Sequence, residues 1–182
     1  MSIPRRSLAL CVERRDIIIS PMLTIRPARP DDANVIWAIL EPIIRAGDVF
    51  ALPRNLDRED ALAYWLSPGH EVFVAEGAGE VLGSYYLRPN QPGGGSHVAN
   101  CGYMTAWAAT GRGIAGAMCA HSLAHAKDRG YRAMQFNFVV STNQRAVRLW
   151  QRMGFEIAGR VPNAFAHPSL GDVDALVMHR VL

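Results

Sequence analysis

The chain has 182 residues, of which 49% are hydrophobic and 19% are charged, and this composition indicates one folded globular domain rather than a disordered chain. The formal net charge is +3, and residues 1–21 carry +2 of it, because four arginines there outnumber one glutamate and one aspartate. The remainder is nearly neutral and has no basic stripe, which argues against nucleic acid as the main partner.

The apolar runs are far shorter than a membrane span, so no membrane association is predicted. Three cysteines are widely spaced along the chain, which fits a reducing, cytoplasmic compartment and offers neither a disulfide framework nor a metal-binding pattern. Near the start, the apolar run over residues 8–12 is too short for a secretory signal. We therefore interpret residues 1–21 as an N-terminal extension that need not be ordered, and residues 22–182 as the domain.

The first half of the chain alternates strand and helix patterns. Residues 22–28 read as a strand, and Asp31 or Asp32 caps a helix whose apolar face is Ile36, Ile39, Leu40 and Ile43. Pro42 is expected to kink or divide this helix. A short helix is predicted over 57–66, two strands over 70–89 with a turn at 77–79, and a mobile loop without regular structure over 90–96.

The second half continues in the same way. Strands are predicted over 97–105 and 133–140 and near 154–160 and 172–181, with helices from a glycine-rich turn to about 127 and over 143–152. The connection over 162–174 is long for a hairpin, so His167 and Asp172 are candidates for a substrate mouth or a dimer contact. The elements together predict an α/β (α+β) domain with a mixed central sheet of six or seven strands and about four helices.

The glycine-rich turn "TGRGIAGAM", residues 110–118, lies between a strand and a helix. The unpaired amides and the dipole at a helix N-terminus attract phosphate, and Gly111, Gly113 and Gly116 would let a phosphate approach while Arg112 adds charge. The alternative is a simple tight turn whose small residues serve helix packing. Neither common nucleotide-binding glycine pattern is present.

The order strand, glycine-rich turn, helix, strand, Asn, helix, Gly-Phe resembles the GNAT N-acetyltransferase superfamily. Its pyrophosphate loop matches residues 110–115, with Thr110 in place of Gln or Arg, and "NQRAVRLWQRMGF", residues 143–155, matches its next helix. The resemblance implies acetyl-CoA as cosubstrate, no metal, and parallel strands 97–105 and 133–140 that splay apart around the pantetheine arm. It implies these cofactor-binding residues: Tyr103, Met104, Thr105, Thr110, Gly111, Arg112, Gly113, Ile114, Ala115, Gly116 and Asn143.

The acid–base groups common in that family are missing. Strand 97–105 has no carboxylate, and its one base near neutral pH is His97, which a strand start more often uses as a surface residue. Trp150 replaces the Tyr that often protonates the thiolate, and indole cannot give up a proton. A water, Tyr103 or the low basicity of the thiolate must then serve. Cys101 is interpreted as a core filler.

Two amides interrupt the strand "AMQFNFVV", residues 133–140. Strand alternation places Met134, Phe136, Phe138 and Val140 toward the core, and it places Gln135 and Asn137 on the opposite face. If that face lines the cleft, a ligand supplies the hydrogen-bond partners that buried amides need. If helices leave the face wet, water does so instead.

A narrower pattern is similar to fungal acetyltransferases that detoxify proline analogues such as azetidine-2-carboxylate. That resemblance implies that Asn100 and Asn137 are the catalytic residues, which orient the amine and carboxylate of a small amino acid, while Asn143 binds the pantetheine arm. His97 and Gln135 are further candidates for substrate binding.

Three functions remain open from the sequence. The first is acetyl transfer to a small amine, the second is acetylation of protein N-termini or lysines, and the third is a non-catalytic acyl-CoA-binding module. Homodimerisation through the C-terminal strand "ALVMHRVL" is a further expectation from the family resemblance.

Overall fold

Seven strands form one mixed sheet in the computed structural model of the protein, which describes residues 23–182. The strands are β1 Thr24–Pro27, β2 Glu71–Gly77, β3 Glu80–Pro89, β4 Val98–Thr105, β5 Ala133–Val140, β6 Glu156–His167 and β7 Gly171–Val181. The helices are α1 Ala33–Ala46, α2 Arg58–Trp65, α3 Ile114–Asp128 and α4 Gln144–Arg152. The extension predicted for residues 1–21 lies outside the described residues.

The strand order is β1-β2-β3-β4-β5-β7-β6, and every neighbouring pair in this sheet except β4 and β5 is antiparallel. The parallel pair has Cα partners at Val98–Ala133 and Ala99–Met134 only. Beyond these positions the two strands separate, as the splayed-strand prediction required. The predicted mixed sheet with four helices is confirmed.

Two hydrophobic clusters cover the two faces of the sheet. One joins α3 and α4 to β3, β4 and β5 through Met118, Trp150 and Phe136, and the other joins α1 and α2 to the opposite face through Ile36, Trp65 and others. Ala99 and Cys101 of β4 belong to the first cluster, whereas Met104 belongs to the second. The cleft described below therefore has different walls on its two sides.

Helix α1 begins where the Asp32 carboxylate accepts hydrogen bonds from the Arg29 N–H at 2.7 Å and from Arg26 at 2.7 and 3.0 Å. It continues through Pro42, so the prediction that Pro42 divides the helix is wrong, and a kink at Pro42 stays a prediction. Pro42 lies on the exposed side, and the helix buries four apolar side chains that each contribute about 1.5–3 kcal/mol, which outweighs a proline cost of about 3 kcal/mol.

Two stretches that were predicted as loops carry regular structure. Residues 90–96 contain a 3₁₀ turn, Gly93–Gly95, and residues 162–174 belong mostly to the β6–β7 hairpin. Strand β6 includes Pro162 because β6 is the sheet edge, where a proline leaves no ladder hydrogen bond unmade. Asn163 has φ 49° in a bulge, and its N–H donates to Asp174 Oδ1 at 3.0 Å.

Strand β5 also departs from simple alternation. Its register against β7 shifts between Phe136 and Val139, which is the mark of a β-bulge. After the bulge Val139, rather than Phe138, joins Phe136 in the core, and Phe138 is 41% exposed. The prediction that Phe138 faces the core is therefore wrong.

Strand β7 is paired on both sides, to β5 and to β6, so it offers a partner subunit no free edge. Homodimerisation through this strand stays a prediction. Within residues 23–182, no helix is both long and apolar enough to cross a bilayer, and no group of three His, Cys, Asp or Glu side chains is placed to hold a metal ion.

Candidate active site

The separation of β4 from β5 opens a cleft of about 740 Å³. One end lies against the glycine-rich turn and α4, and the other end lies under α1, α2 and the chain between them. Of the residues predicted for the site, these line it: Asn100, Tyr103, Met104, Thr105, Thr110, Gly111, Gly113, Ile114, Ala115, Gly116, Asn137 and Asn143. His97, Gln135 and Arg112 are not among the lining residues.

The backbone of β4 presents an unpaired edge to the cleft. Hydrogen bonds from Ala106 N to Leu82 O at 2.9 Å and from Asn90 N to Val98 O at 2.7 Å direct the even-numbered residues toward β3. Because these directions alternate along a strand, the N–H and C=O groups of Tyr103 and Thr105 face the gap toward β5. A ligand strand or arm entering the gap would find those groups free to pair.

Asn100 lies one residue beyond the last parallel pair. Its Nδ2 donates to the backbone carbonyl of Gln135 on β5 at 2.8 Å, so a side chain replaces the ladder hydrogen bond where the strands part. Asn100 is buried, and it therefore fixes the point at which the cleft begins.

The glycine-rich turn closes one end of the cleft. Gly111 and Gly113 have φ of 87° and 82°, a left-handed conformation that L side chains avoid, and α3 starts directly after Gly113. A Cβ on Gly111 would lie 3.2 Å from Arg145 Nη2, which brings the α4 arginine to the turn. Arg145 lines the cleft, whereas Arg112 does not.

The amides of β5 are satisfied by the protein itself. Gln135 Nε2 donates to Asn137 Oδ1 at 2.9 Å, and Asn137 Nδ2 donates to Asn90 Oδ1 at 2.7 Å, which links β5 to the end of β3 across β4. The expectation that a ligand or water supplies these partners does not hold for this conformation. Asn90 was missed because its sequence neighbourhood reads only as a loop.

At the end of the cleft away from the glycine-rich turn, the lining residues Tyr64, Tyr86 and Arg88 were also missed. Tyr86 is 4% exposed, and its ring stacks on His70 with centroids 4.2 Å apart while its hydroxyl meets that of Tyr64 at 3.0 Å. Tyr86 packs directly on Gly102 of β4. Arg88, opposite Asn100 in the β3–β4 register, completes this wall.

Titratable groups of the cleft are few. The residues that line it include no carboxylate and no histidine. Burial raises the pKa of the Tyr86 hydroxyl. Burial also raises the pKa of the Cys101 thiol to about 12, so neither group ionises at neutral pH. The Tyr103 hydroxyl is bonded to Ser122 Oγ at 2.7 Å on the α3 side, and burial raises its pKa as well.

The remaining predicted residues have structural partners. His97 is exposed, and its Nδ1 lies 3.0 Å from Gly94 O, near the closed end of the parallel pair. Trp150 is buried with its ring 5.0 Å from Tyr103 and 5.1 Å from Phe136. Asn143 Oδ1 accepts from Ala146 N at 3.1 Å and caps α4, which leaves its Nδ2 for any ligand contact.

A second hollow of about 310 Å³ adjoins the cleft at Asn143 and Arg145. His167, from the β6–β7 hairpin, and Asp48, after α1, line it, whereas Asp172 does not. Of the two residues proposed for the substrate mouth, His167 is thus the one placed beside the cleft.

The cleft between splayed parallel strands, with a glycine-rich turn at one end, agrees with the family to which the sequence matches. The model of the Acetyltransferase (GNAT) family matches residues 37–155, well over half of the chain. The chain belongs to the GNAT acetyltransferase family. The predicted superfamily resemblance is thereby confirmed.

Solved GNAT structures resemble the whole described fold. A GCN5-related N-acetyltransferase from Kribbella flavida is 43% identical, with a TM-score of 0.85 over 88% of this chain and 98% of that chain. A phosphinothricin acetyltransferase from Sinorhizobium meliloti, in complex with AcCoA, is 19% identical with a TM-score of 0.78 over 88% of each chain, and shows the shared GNAT fold alone.

A curated relative matches only part of the chain. N-acetyltransferase aca1 of Schizosaccharomyces pombe is 34% identical over 84 residues, which make up 46% of this chain and 40% of the yeast protein. This GNAT chain therefore spans less than half the length of that relative.

Proposed function

We propose that this GNAT protein transfers the acetyl group of acetyl-CoA directly to the amine of a small molecule, such as an amino acid or a toxic amino-acid analogue. The observation that carries the proposal is the continuity of the cleft. One cavity joins the glycine-rich turn to an acceptor pocket walled by Tyr64, Tyr86 and Arg88. The yeast relative, which is named an N-acetyltransferase, supports acetyl transfer to an amine.

The end of the cleft at the glycine-rich turn, here called the donor end, offers the contacts that acetyl-CoA needs. The amides that follow Gly111 and Gly113, at the start of α3, would bind the pyrophosphate, and the positive charge of Arg145 adds to the helix dipole there. The pantetheine arm would pair with the unpaired β4 groups of Tyr103 and Thr105, and Asn143 Nδ2 would donate to it.

The chemistry proposed is direct attack of a neutral amine on the thioester carbonyl. The carbonyl oxygen gains charge as the tetrahedral intermediate forms, and a β4 N–H facing the gap is positioned to donate to it. Collapse of the intermediate breaks the C–S bond and releases the CoA thiolate. A covalent route through Cys101 is disfavoured because burial raises the pKa of that thiol to about 12.

The proton of the amine needs a route that does not use a carboxylate. The paired hydroxyls of Tyr86 and Tyr64 reach from the buried wall to a side chain that is 36% exposed. Since burial raises the pKa of Tyr86, its hydroxyl would pass a proton along rather than hold the charge of a base. Asn100 and Asn137 would orient the acceptor, as the narrower fungal resemblance implies.

The side chains that cover the acceptor pocket favour a small acceptor. Ile43 of α1, Phe50 and Leu52 of the following segment, and Tyr64 of α2 wall the acceptor end. Acetylation of protein N-termini or lysines requires a groove for peptide backbone, and a non-catalytic module requires no acceptor wall. Both alternatives are outcomes of the test below.

The proposal is tested by acetyl-CoA turnover against free amino acids, imino acids, polyamines and short peptides, with CoA release followed by mass because free cysteines react with thiol reagents. Turnover of small amines alone, with at least a tenfold loss in Asn137→Ala, is expected, since two hydrogen bonds of the acceptor wall depend on Asn137. Turnover of peptides alone would favour protein acetylation. Acetyl-CoA binding without turnover of any acceptor would favour the non-catalytic module.

A further inference from the structure

Arg88 is a cation in the wall of the acceptor pocket. It lines the cleft on β3, opposite Asn100, and its Nε is buried without a hydrogen-bond partner. Among residues 23–182, no carboxylate forms an ion pair with it, whereas Arg26 pairs with both Asp32 and Glu76. Arg26 is therefore neutralised where it meets the sheet, and Arg88 is not.

A buried donor without a partner is costly. Leaving such a group unsatisfied costs about 1–3 kcal/mol, and more when the group is charged. The neighbourhood does not relieve this cost, since the lining of the cleft holds no carboxylate. His70, which stacks on Tyr86, has its pKa lowered by burial and further by the charge of Arg88. The acceptor end is thus electropositive and complementary to an anion.

The position of Arg88 excludes the CoA phosphates as that anion. Asn100, its partner in register, lies five residues before the end of β4 at Thr105, and the glycine-rich turn follows only after that end. Five residues of extended strand span roughly 17 Å. The anion at Arg88 must therefore belong to the acceptor molecule.

We infer, on the basis of the proposed function, that Arg88 binds the carboxylate of the acceptor and selects free α-amino or α-imino acids. A guanidinium binds a carboxylate through two parallel N–H donors, and the buried Nε is one such donor. The acceptor amine is attached two bonds from the carboxylate carbon, so it lies beside Asn100 at the mouth of the β4–β5 gap. Simple amines and amino amides lack the group that Arg88 requires.

The test compares acceptors that differ only in the carboxylate, namely L-proline, L-prolinamide and pyrrolidine, in the wild type, Arg88→Met and Arg88→Lys. The wild type should prefer proline, and Arg88→Met should lower kcat/KM for proline by about ten- to a hundredfold, mostly through KM. Its effect on prolinamide should be less than threefold. Arg88→Lys keeps the charge but loses the fork geometry, so its kcat/KM for proline should lie between those of the wild type and Arg88→Met.

A matched control is Arg58→Met, which removes a surface arginine of α2 that bonds Asn34 Oδ1. It should leave the preference for proline unchanged. The affinity for CoA, measured by calorimetry, should remain that of the wild type in Arg88→Met and would report any misfolding.

Equal turnover of proline and prolinamide by the wild type, or an equal loss for both in Arg88→Met, would overturn the role of Arg88 while leaving small-molecule acetylation intact. If no small amine turns over, the proposed function fails separately. Calorimetric binding of L-proline to the CoA-loaded protein then decides the role of Arg88. Binding that Arg88→Met abolishes supports it, and binding that persists overturns it.

Discussion

Gly102→Ala is expected to displace the wall of the acceptor pocket. A Cβ at residue 102 would lie 2.6 Å from Cε1, 2.7 Å from Cζ and 2.9 Å from the hydroxyl oxygen of Tyr86. The ring cannot yield easily, because it stacks on His70 at 4.2 Å and meets Trp65 edge-on at 5.0 Å. Either the ring or β4 must move, and both form the cleft.

The expected loss of stability in Gly102→Ala comes from overpacking rather than from backbone strain. Adding a methyl group to a packed core costs about 1–3 kcal/mol. For a chain of this size each kcal/mol lowers Tm by about 2–4 °C, so a decrease of about 2–12 °C is expected. The hydroxyl contact of Tyr86 with Tyr64 should be lost as well, which should raise the acceptor KM more than it changes CoA affinity.

The assay is urea unfolding and thermal melting of Gly102→Ala beside Gly159→Ala, a strand glycine where a Cβ meets nothing within 4 Å. The control should change the free energy of unfolding by no more than about 0.5 kcal/mol. Adding Tyr86→Leu to Gly102→Ala should cost less than the two separate losses combined. A stable Gly102→Ala, or strictly additive losses, would refute the contact.

Two further perturbations test the donor turn and the acceptor wall. Gly113→Ala places a side chain at φ 82°, so it should lower the free energy of unfolding by about 1–2 kcal/mol and weaken acetyl-CoA binding measured by calorimetry. Gly171→Ala, at φ 74° in the β6–β7 hairpin, should lower stability alone. Equal CoA affinities in the two variants would contradict a role for the turn. Burial lowers the pKa of His70 from its ordinary 6.5, so the unfolded state binds the proton more tightly and stability should fall as pH drops below about 6.5. In His70→Gln the slope of unfolding free energy between about pH 7 and pH 5 should become shallower, and an unchanged slope would assign the effect elsewhere.

The donor end of the site was predictable from sequence because its conformation depends on interactions between residues close together in the chain. The conformations of Gly111 and Gly113 and the helix that follows them depend on residues adjacent in the chain. The separation of β4 from β5 also followed, through the family resemblance carried by residues 97–155. These features account for the confirmed fold and for most of the lining residues.

The acceptor half was not predictable because it depends on which strand lies beside β4. Tyr86 and Arg88 lie on β3 and Asn90 follows its end, and their sequence reads only as a strand running into a loop. Their importance appears when Gly102 and Asn100 are found opposite them. Similarly, Phe138 was misplaced because a single extra residue in β5 reverses the alternation beyond it.

Asn100 and Asn137 were singled out as substrate ligands, yet both are already bonded within the protein. Asn100 holds the carbonyl of Gln135 where β4 and β5 part, and Asn137 ties β5 to Asn90 at the end of β3. Each bond crosses the gap or spans β4, so the two amides set the width of the cleft. Their neutral side chains can do this without competing for the charge of Arg88, as a carboxylate in either position would. The absence of acidic groups from this wall is therefore a requirement of the proposed carboxylate site, since an aspartate there would occupy the guanidinium that the acceptor needs.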